Sequence, residues 1–365
     1  MTNLDANVSA AVVASARPSS IADARVWLAH AEVHRVHVLL AERWLRVAAG
    51  DPVLGAIRAT LRQMLRAAIV ADAVQDAECR RVYAALSGGG IRAAVIKGAA
   101  LAHTIYPAPH LRPRCDTDIL IGRDDAAAVR RALIALGYAA EIETSGDLVT
   151  SQCHFSRLDD NGLRHAWDVH WRVSNAHAMA GILSLDQIEA AGSRPTALAG
   201  LVAPNRADAL LLACVHRIAH HHDSRDLIWL YDIHLLAESL SSSEWAAFEA
   251  HAKACGAWPL CARGLVLARD RFSTRVPPRV GHVDGGATGT QFAGAGWREI
   301  DVLRMNLRAL PTWSDRLQLL REHLFPPADF IAARYHVTHR AALPWAYVRR
   351  ITTGAPKWFR RHGAA

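Results

Sequence analysis

Three aspartates lie in segments whose pattern predicts β-strands, and their spacing points to metal chemistry. Asp116 and Asp118 are one residue apart in the predicted strand 116–121, so both side chains point to the same face of a sheet. Asp168 lies among apolar and aromatic neighbours in the predicted strand 163–171, where an unpaired carboxylate is costly. Because like charges repel unless a cation lies between them, the three acids suit a hard divalent cation. For Asp116 and Asp118 alone, solvated acids at a strand edge are the alternative.

A dipeptide before these acids predicts an anion site. Lys97 and Gly98 follow the apolar run 93–96 and open a helix of small residues. The N–H groups of a helix N-terminus bind phosphate, glycine allows close approach, and a lysine adds positive charge. For the dipeptide by itself, a surface turn is the alternative. Two cations beside a phosphate site can activate an attacking hydroxyl and stabilise a leaving pyrophosphate.

Two more residues lie close to these acids in the sequence. Arg112 precedes Asp116 by four residues, and either contacts a phosphate or forms an ion pair with that aspartate. His170 shares a strand face with Asp168, so it either supports that carboxylate with a hydrogen bond or contacts the substrate.

A histidine cluster follows in the helical part of the chain, at His216, His220, His221 and His222. His216 and His220 are four residues apart and could share a metal on one helix face, but no third ligand stands at a zinc-binding spacing. A solvated helix end is therefore the favoured interpretation, because positive charge is stabilised there.

The chemistry-bearing residues fall in one α+β module with a small mixed sheet. Strand patterns alternate there with helix patterns, and residues 159–162 form a strong hairpin turn between two strands. The predicted organisation is a flexible tail 1–20, an N-terminal helical segment 21–87, the module 88–175, a C-terminal helical domain 176–329 with a mobile loop 277–296, and a basic C-terminal segment 330–365.

Composition excludes several classes of protein. Of 365 residues, 51% are hydrophobic and 21% charged, which is too apolar for a disordered chain. There is no apolar run of about 18 residues and no secretory signal pattern, so we expect a cytoplasmic protein without a transmembrane segment. The net charge of +8 comes mainly from residues 330–365, which hold seven basic residues and no acid. Pro344 and Pro356 are expected to break this segment into short pieces. It is either a packed helix or a peripheral contact with an anionic surface, and nucleic acid is not an expected partner.

Four short stretches resemble the uncharacterised bacterial nucleotidyltransferase family, within the DNA polymerase β-like nucleotidyltransferase superfamily. They read VIKGAAL at 95–101, LRP at 111–113, DTDIL at 116–120 and DVHW at 168–171. The similarity continues through 227–233 and 324–327. The resemblance implies that the module 88–175 transfers a nucleoside monophosphate from an NTP such as ATP to a hydroxyl or phosphate, with release of pyrophosphate.

The resemblance also implies a role for each matching residue. Asp116, Asp118 and Asp168 would bind two Mg²⁺ ions, with Mn²⁺ as a substitute, and Asp168 would be the base for the acceptor hydroxyl. Lys97 and Gly98 would face the nucleotide phosphates, although the broader superfamily has Gly-Ser at this point. Similar members accompany natural-product peptide and exopolysaccharide pathways, which indicates a small-molecule, saccharide or modified-peptide acceptor.

Two alternatives to this function stay open. In the first, the same metal site transfers another group, such as a sugar from a nucleotide-sugar donor. In the second, the fold is a catalytically retired nucleotide-binding scaffold. The three aspartates argue against the second, because a retired site has no need of costly neighbouring carboxylates.

Overall fold

The computed structural model describes residues 3–14, 16–141, 146–193, 201–221, 223–278, 280 and 298–359. Most of the predicted mobile loop 277–296, and His222, therefore lie outside the described residues. The N-terminal helices are α1 (Asn3–Val13), α2 (Ile21–Val33), α3 (His37–Val47), α4 (Pro52–Ala56) and α5 (Arg58–Gly88).

The sheet and its helices follow α5. Their order along the chain is β1 (Ala93–Ile96), α6 (Lys97–Thr104), β2 (Thr117–Ile121), α7 (Ala126–Ala135), β3 (Ala139–Ala140), β4 (Gln152–Leu158) and β5 (Arg164–His170). The remaining described helices are α8 (His177–Ala180), α9 (Leu185–Ala191), α10 (Arg206–Ala219), α11 (Leu227–Ser239), α12 (Ser242–Ala254), α13 (Trp258–Phe272), α14 (Glu299–Ala309), α15 (Trp313–Leu324), α16 (Ala328–Tyr335) and α17 (Leu343–Trp358).

The five strands form one mixed sheet in the order β1-β2-β5-β4-β3. Strands β2 and β5 are parallel, and the other neighbouring pairs are antiparallel. Helices precede and follow the sheet in the sequence. The predicted α+β class, a small mixed sheet with helical flanks, is therefore confirmed.

A tight turn sets the register of the two longest strands. Asp159 Oδ1 accepts hydrogen bonds of 2.9 Å from the backbone N–H groups of Asn161 and Leu163, and Gly162 takes the left-handed conformation with φ +75°. Leu158 then lies opposite Arg164, and every pair further along β4 and β5 follows from that start. The predicted hairpin thus determines which side chains of the two strands are neighbours.

One face of the sheet packs against α5 and α7. Ile119 and Ile121 of β2 are buried there with Trp167 and Val169 of β5, as the alternation in the sequence predicts. Helix α5 contributes Tyr83 to this core, and its ring meets the Trp167 ring edge to face at 5.4 Å. This packing holds β2 and β5, the strands that carry Asp118 and Asp168, in a fixed position.

The helices before and after the sheet share one hydrophobic core. Leu40 of α3, Leu210 of α10, Leu230 of α11 and Leu265 of α13 are fully buried in it. The hydrophobic effect therefore joins the two helical regions around the sheet rather than stabilising each one separately.

The N-terminal segment corrects one prediction. Residues 3–13 form α1, although the sequence predicts a flexible tail for residues 1–20. Val8, Ala11 and Val12 recur at helical spacing on one buried face of α1, which contacts α2, α3 and α13. The helix is short, so its stability depends on this packing more than on local propensity.

The basic C-terminal segment corrects a second prediction. Helix α17 runs without a break from Leu343 to Trp358, although Pro344 and Pro356 are expected to divide it. Proline is tolerated in the first turn, where no N–H donor is needed, and Pro356 disturbs only the last turn. Contact of this helix with an anionic surface stays a prediction. Across the described residues, no helix combines the length and the apolar character that crossing a membrane requires.

Candidate active site

The parallel pairing of β2 with β5 places two of the predicted metal ligands side by side. Asp118 lies directly opposite Asp168 in the register. His170, two residues beyond Asp168, brings Nε2 to 2.9 Å from Asp118 Oδ1. Ligand atoms of Asp118, Asp168 and His170 all lie within 4.8 Å of one another. This group can supply two carboxylate oxygens and one imidazole nitrogen to a single ion.

Asp116 lies just before β2 and outside that closest group. Its backbone carbonyl accepts a hydrogen bond of 3.4 Å from Gln75 Nε2 of α5. Burial, followed by the negative charges of Asp118 and Asp168, raises the pKa of Asp116 to about 6. The structure therefore brings the three aspartates into one electrostatic cluster. The hydrogen-bond partner of His170 in this cluster is Asp118, whereas the sequence suggests Asp168.

Lys97 occupies the centre of this cluster. Its Nζ lies 2.7 Å from Asp118 Oδ1 and 3.1 Å from His170 Nε2. Although burial alone would raise the pKa of Asp118, the Lys97 ammonium and His170 hold that pKa well below its usual range. Lys97 is the first residue of α6 and has φ +54°, a conformation that costs a side-chain-bearing residue about 1–3 kcal/mol. The strain is located where the side chain makes its ion pair.

The donor atoms fit a divalent cation. Burial, and then the charge of Lys97, lower the pKa of His170, so its imidazole is neutral at pH 7 and can act as a ligand. Burial and then the charges of Asp118 and Asp168 raise the pKa of Asp116, and the opposing effect of Lys97 is smaller than these. A doubly charged ion would stabilise the remaining carboxylates more effectively. Lys97 would compete with that ion for Asp118.

His154 belongs to the site, although the sequence interpretation does not include it. It lies opposite Asp168 in the β4–β5 register, and its Nδ1 is hydrogen-bonded to Asp168 Oδ1. Its Nε2 lies 3.5 Å from Glu141 Oε1. The sequence does contain the necessary signal, because counting outward from the hairpin turn at 159–162 pairs position 154 with position 168.

Arg112 has a different partner from the one considered in the sequence. Its Nε lies 2.9 Å from Asp232 Oδ1 and its Nη2 lies 2.8 Å from Asp232 Oδ2, so a bidentate ion pair joins it to α11. The Tyr106 hydroxyl donates to Asp232 Oδ1 at 2.6 Å. A Cβ added to Gly98 would lie 3.5 Å from Arg112 Nη2, so Gly98 packs against the guanidinium. The Arg112–Asp232 ion pair therefore packs against the start of α6 and supports it.

The histidine cluster is not a solvated helix end, and that interpretation is wrong for its described members. The rings of His216 and His220 stack with centroids 5.0 Å apart, and the ring of His221 stacks on Trp229 of α11 at 4.4 Å. Helix α11 covers the end of α10, and residues of both helices line a cleft that Lys97 and Gly98 also reach. His216 and Trp229 line this cleft, and they form a histidine wall with the rings of His220 and His221 that stack on them.

The environment of this wall keeps its imidazoles neutral. Burial, followed by the charge of Lys97, lowers the pKa of His220 to about 3. Burial, followed by the charges of Arg35 and Lys97, lowers the pKa of His221 to about 4. Both groups are therefore uncharged at pH 7 and can accept a hydrogen bond.

The free energy of unfolding is expected to fall as the pH is lowered from 7 to 5. Because the folded-state pKa of His220 lies below the ordinary 6.5, the unfolded chain binds more protons in this range. Protonation of His220 in the unfolded chain then lowers the free energy of unfolding at pH 5 by about 2 kcal/mol. Urea denaturation of wild type and His220→Gln at both pH values measures it. At pH 7 the difference in the free energy of unfolding between the two proteins measures the packing that the substitution removes. If His220→Gln loses as much stability between pH 7 and pH 5 as wild type does, the prediction is contradicted.

The fold and the site together define a class of protein. Acidic residues on adjacent strands of a mixed sheet, beside the N-terminus of a helix, can hold a divalent cation next to a phosphate group. The model of a family described as uncharacterised nucleotidyltransferase matches residues 21–273, which is more than half of the chain. The chain belongs to this family, as the four sequence motifs indicate, and is a transferase of phosphorus-containing groups. A comparison with curated proteins gives no match.

Proposed function

We propose that this protein carries out a Mg²⁺-dependent transfer of a nucleoside monophosphate from an NTP to a hydroxyl or phosphate of an acceptor. Pyrophosphate is released, and the acceptor is a small molecule, a saccharide or a modified peptide. The observation that carries the proposal is the register of β2 and β5, which sets Asp118 opposite Asp168 next to the first residues of α6.

The acidic cluster has two tasks in this proposal. Asp116, Asp118 and Asp168, together with His170, hold the divalent cations. When bound, Mg²⁺ would neutralise the charge that develops on the phosphoryl oxygens. Asp168 receives the proton of the acceptor hydroxyl, and its hydrogen bond to His154 keeps the carboxylate oriented.

Lys97 and the start of α6 bind the phosphates in this proposal. Lys97 Nζ lies 2.7 Å from Asp118 Oδ1 and forms an ion pair with it. A cation at Asp118 would repel the ammonium, and the triphosphate would attract it, so Lys97 exchanges one anionic partner for another. The N–H groups at the start of α6 and the positive end of its dipole add to the attraction.

Nucleotide binding tests the proposal directly. Thermal denaturation with Mg²⁺ and a panel of NTPs should show a rise in Tm with at least one NTP, because a ligand that binds the folded state stabilises it. The rise should disappear in Asp116→Ala/Asp118→Ala and persist in Asp160→Ala, which alters an exposed acid of the hairpin turn. A wild-type protein that no NTP stabilises would overturn the proposal.

Product analysis then identifies the reaction. Pyrophosphate release, together with mass spectrometry of candidate acceptors incubated with enzyme and NTP, gives the mass of the transferred group. A nucleoside monophosphate increment supports the proposal. A panel of nucleotide-sugars in the same assays tests the alternative donor, for which the expected increment is that of a sugar.

A further inference from the structure

A second group of potential metal ligands lies at the junction of α1 and α2. Asp5 of α1 faces His30 and His34, which are four residues apart on one face of α2. Asp5 Oδ1 lies 2.8 Å from His30 Nε2 and 3.5 Å from His34 Nε2. The three ligand atoms lie within 4.8 Å of one another. These residues carry no motif that predicts a function from the sequence, and the proposed transfer reaction does not use them.

We propose that Asp5, His30 and His34 bind a transition-metal ion of the Zn²⁺ type. Bonds of about 2.0–2.1 Å in a tetrahedral site place neighbouring ligand atoms about 3.3 Å apart. The separations from Asp5 to His30 and to His34, 2.8 and 3.5 Å, lie on either side of that value. Small rotations of the side chains would therefore convert this hydrogen-bonded group into a coordination site without moving α1 or α2.

Neighbouring side chains hold two of the three ligands. Asp226 Oδ1 lies 3.6 Å from His34 Nδ1, the ring nitrogen that does not face Asp5. This separation is an electrostatic contact and is too long for a hydrogen bond, and the nearby carboxylate favours the tautomer with the proton on Nδ1 and Nε2 available to a metal. Arg271 Nη2 lies 3.3 Å from Asp5 Oδ2, while Asp5 Oδ1 faces the two imidazoles. These contacts are the outer support that protein metal sites commonly have.

Charge and exposure decide which ion fits. The Arg271 guanidinium offsets the negative charge of Asp5, which disfavours ions such as Mg²⁺ whose binding depends on carboxylate charge. Two imidazoles and one carboxylate instead suit Zn²⁺, Co²⁺ or Ni²⁺. The three side chains are 16–19% exposed, so an ion can enter from solvent and a water molecule can complete its coordination.

The proposed site would tie the N-terminal helix to the rest of the protein. Helix α1 lies in the segment that the sequence predicts to be a flexible tail, and it packs against α2 and α13. A metal that binds only the folded arrangement shifts the equilibrium toward docked α1. The predicted role is therefore structural and independent of the reaction at β2 and β5.

Titration with Co²⁺ tests this proposal in a background that lacks the active-site ligands. In Asp118→Asn/Asp168→Asn, treated with chelator and dialysed, we expect one equivalent of Co²⁺ with the intense visible bands of tetrahedral coordination. Addition of Zn²⁺ should abolish these bands. Adding His30→Gln or His34→Gln should lower the affinity for Co²⁺ by about 100-fold or more.

A matched control separates coordination from general histidine binding. His251→Gln removes another surface histidine paired with an aspartate, since His251 Nδ1 lies 3.1 Å from Asp208 Oδ1, and should leave the Co²⁺ spectrum unchanged. Circular dichroism confirms that each variant is folded. The proposal is overturned if tetrahedral bands are absent in the background protein, or if they survive in both His30→Gln and His34→Gln.

Discussion

Replacing Asp118 with asparagine is expected to lower the rate of nucleotidyl transfer by about a thousandfold, or about 4 kcal/mol in the activation barrier. The substitution keeps the size of the side chain but removes the charge that a divalent cation requires. In the wild type, the Lys97 ammonium lies 2.7 Å from a carboxylate oxygen of Asp118, and in the variant it would face a neutral amide. Pyrophosphate release at saturating NTP and Mg²⁺ measures the effect.

The control for this substitution is an acid of the same type outside the site. Asp186 is 79% exposed and pairs with Arg92 at the surface, so Asp186→Asn should retain nearly the full rate. Circular dichroism and the thermal transition show whether Asp118→Asn is folded. If folded Asp118→Asn transfers nucleotide at a rate close to that of wild type, Asp118 does not hold the catalytic cation.

Much of the site is predictable because its residues are close in sequence or joined by local rules. Side chains alternate between the two faces of a strand, so the burial of Ile119 and Ile121 in the core places Asp118 on the opposite face. The hairpin at 159–162 fixes the neighbours of Asp168, and the same count finds His154. The order of the strands is not local information, yet the parallel contact of β2 with β5 depends on it.

The contacts that the sequence does not predict join distant segments. Arg112 and Asp232 are 120 residues apart, and no spacing rule connects a loop before β2 with a helix after the sheet. The histidine wall has the same origin, because the His221 ring is partly buried by Trp229, which lies on the next helix. Helix α1 is stable only against α2, α3 and α13, so its own short sequence is a poor guide.

Replacing Arg112 with methionine is expected to lower the free energy of unfolding by about 3–5 kcal/mol, because the buried carboxylate of Asp232 loses its charge partner. Both side chains are 3% exposed, and Asp232 would keep only the Tyr106 hydroxyl among the partners described above. Urea denaturation measures the loss. Arg92→Met, which breaks an ion pair at the surface, should cost about 1 kcal/mol or less.

A second variant separates support of α6 from contact with a phosphate. Arg112→Met/Asp232→Leu removes both charges and should regain much of the stability that Arg112→Met loses, since apolar replacements of a buried ion pair are often neutral. If Arg112 acts by packing beneath Gly98, the KM for NTP in the double variant should return close to the wild-type value. If Arg112 contacts a phosphate, which is one of the two alternatives left open by the sequence, the KM should stay raised although stability is restored. Stability and KM together therefore assign the role of Arg112.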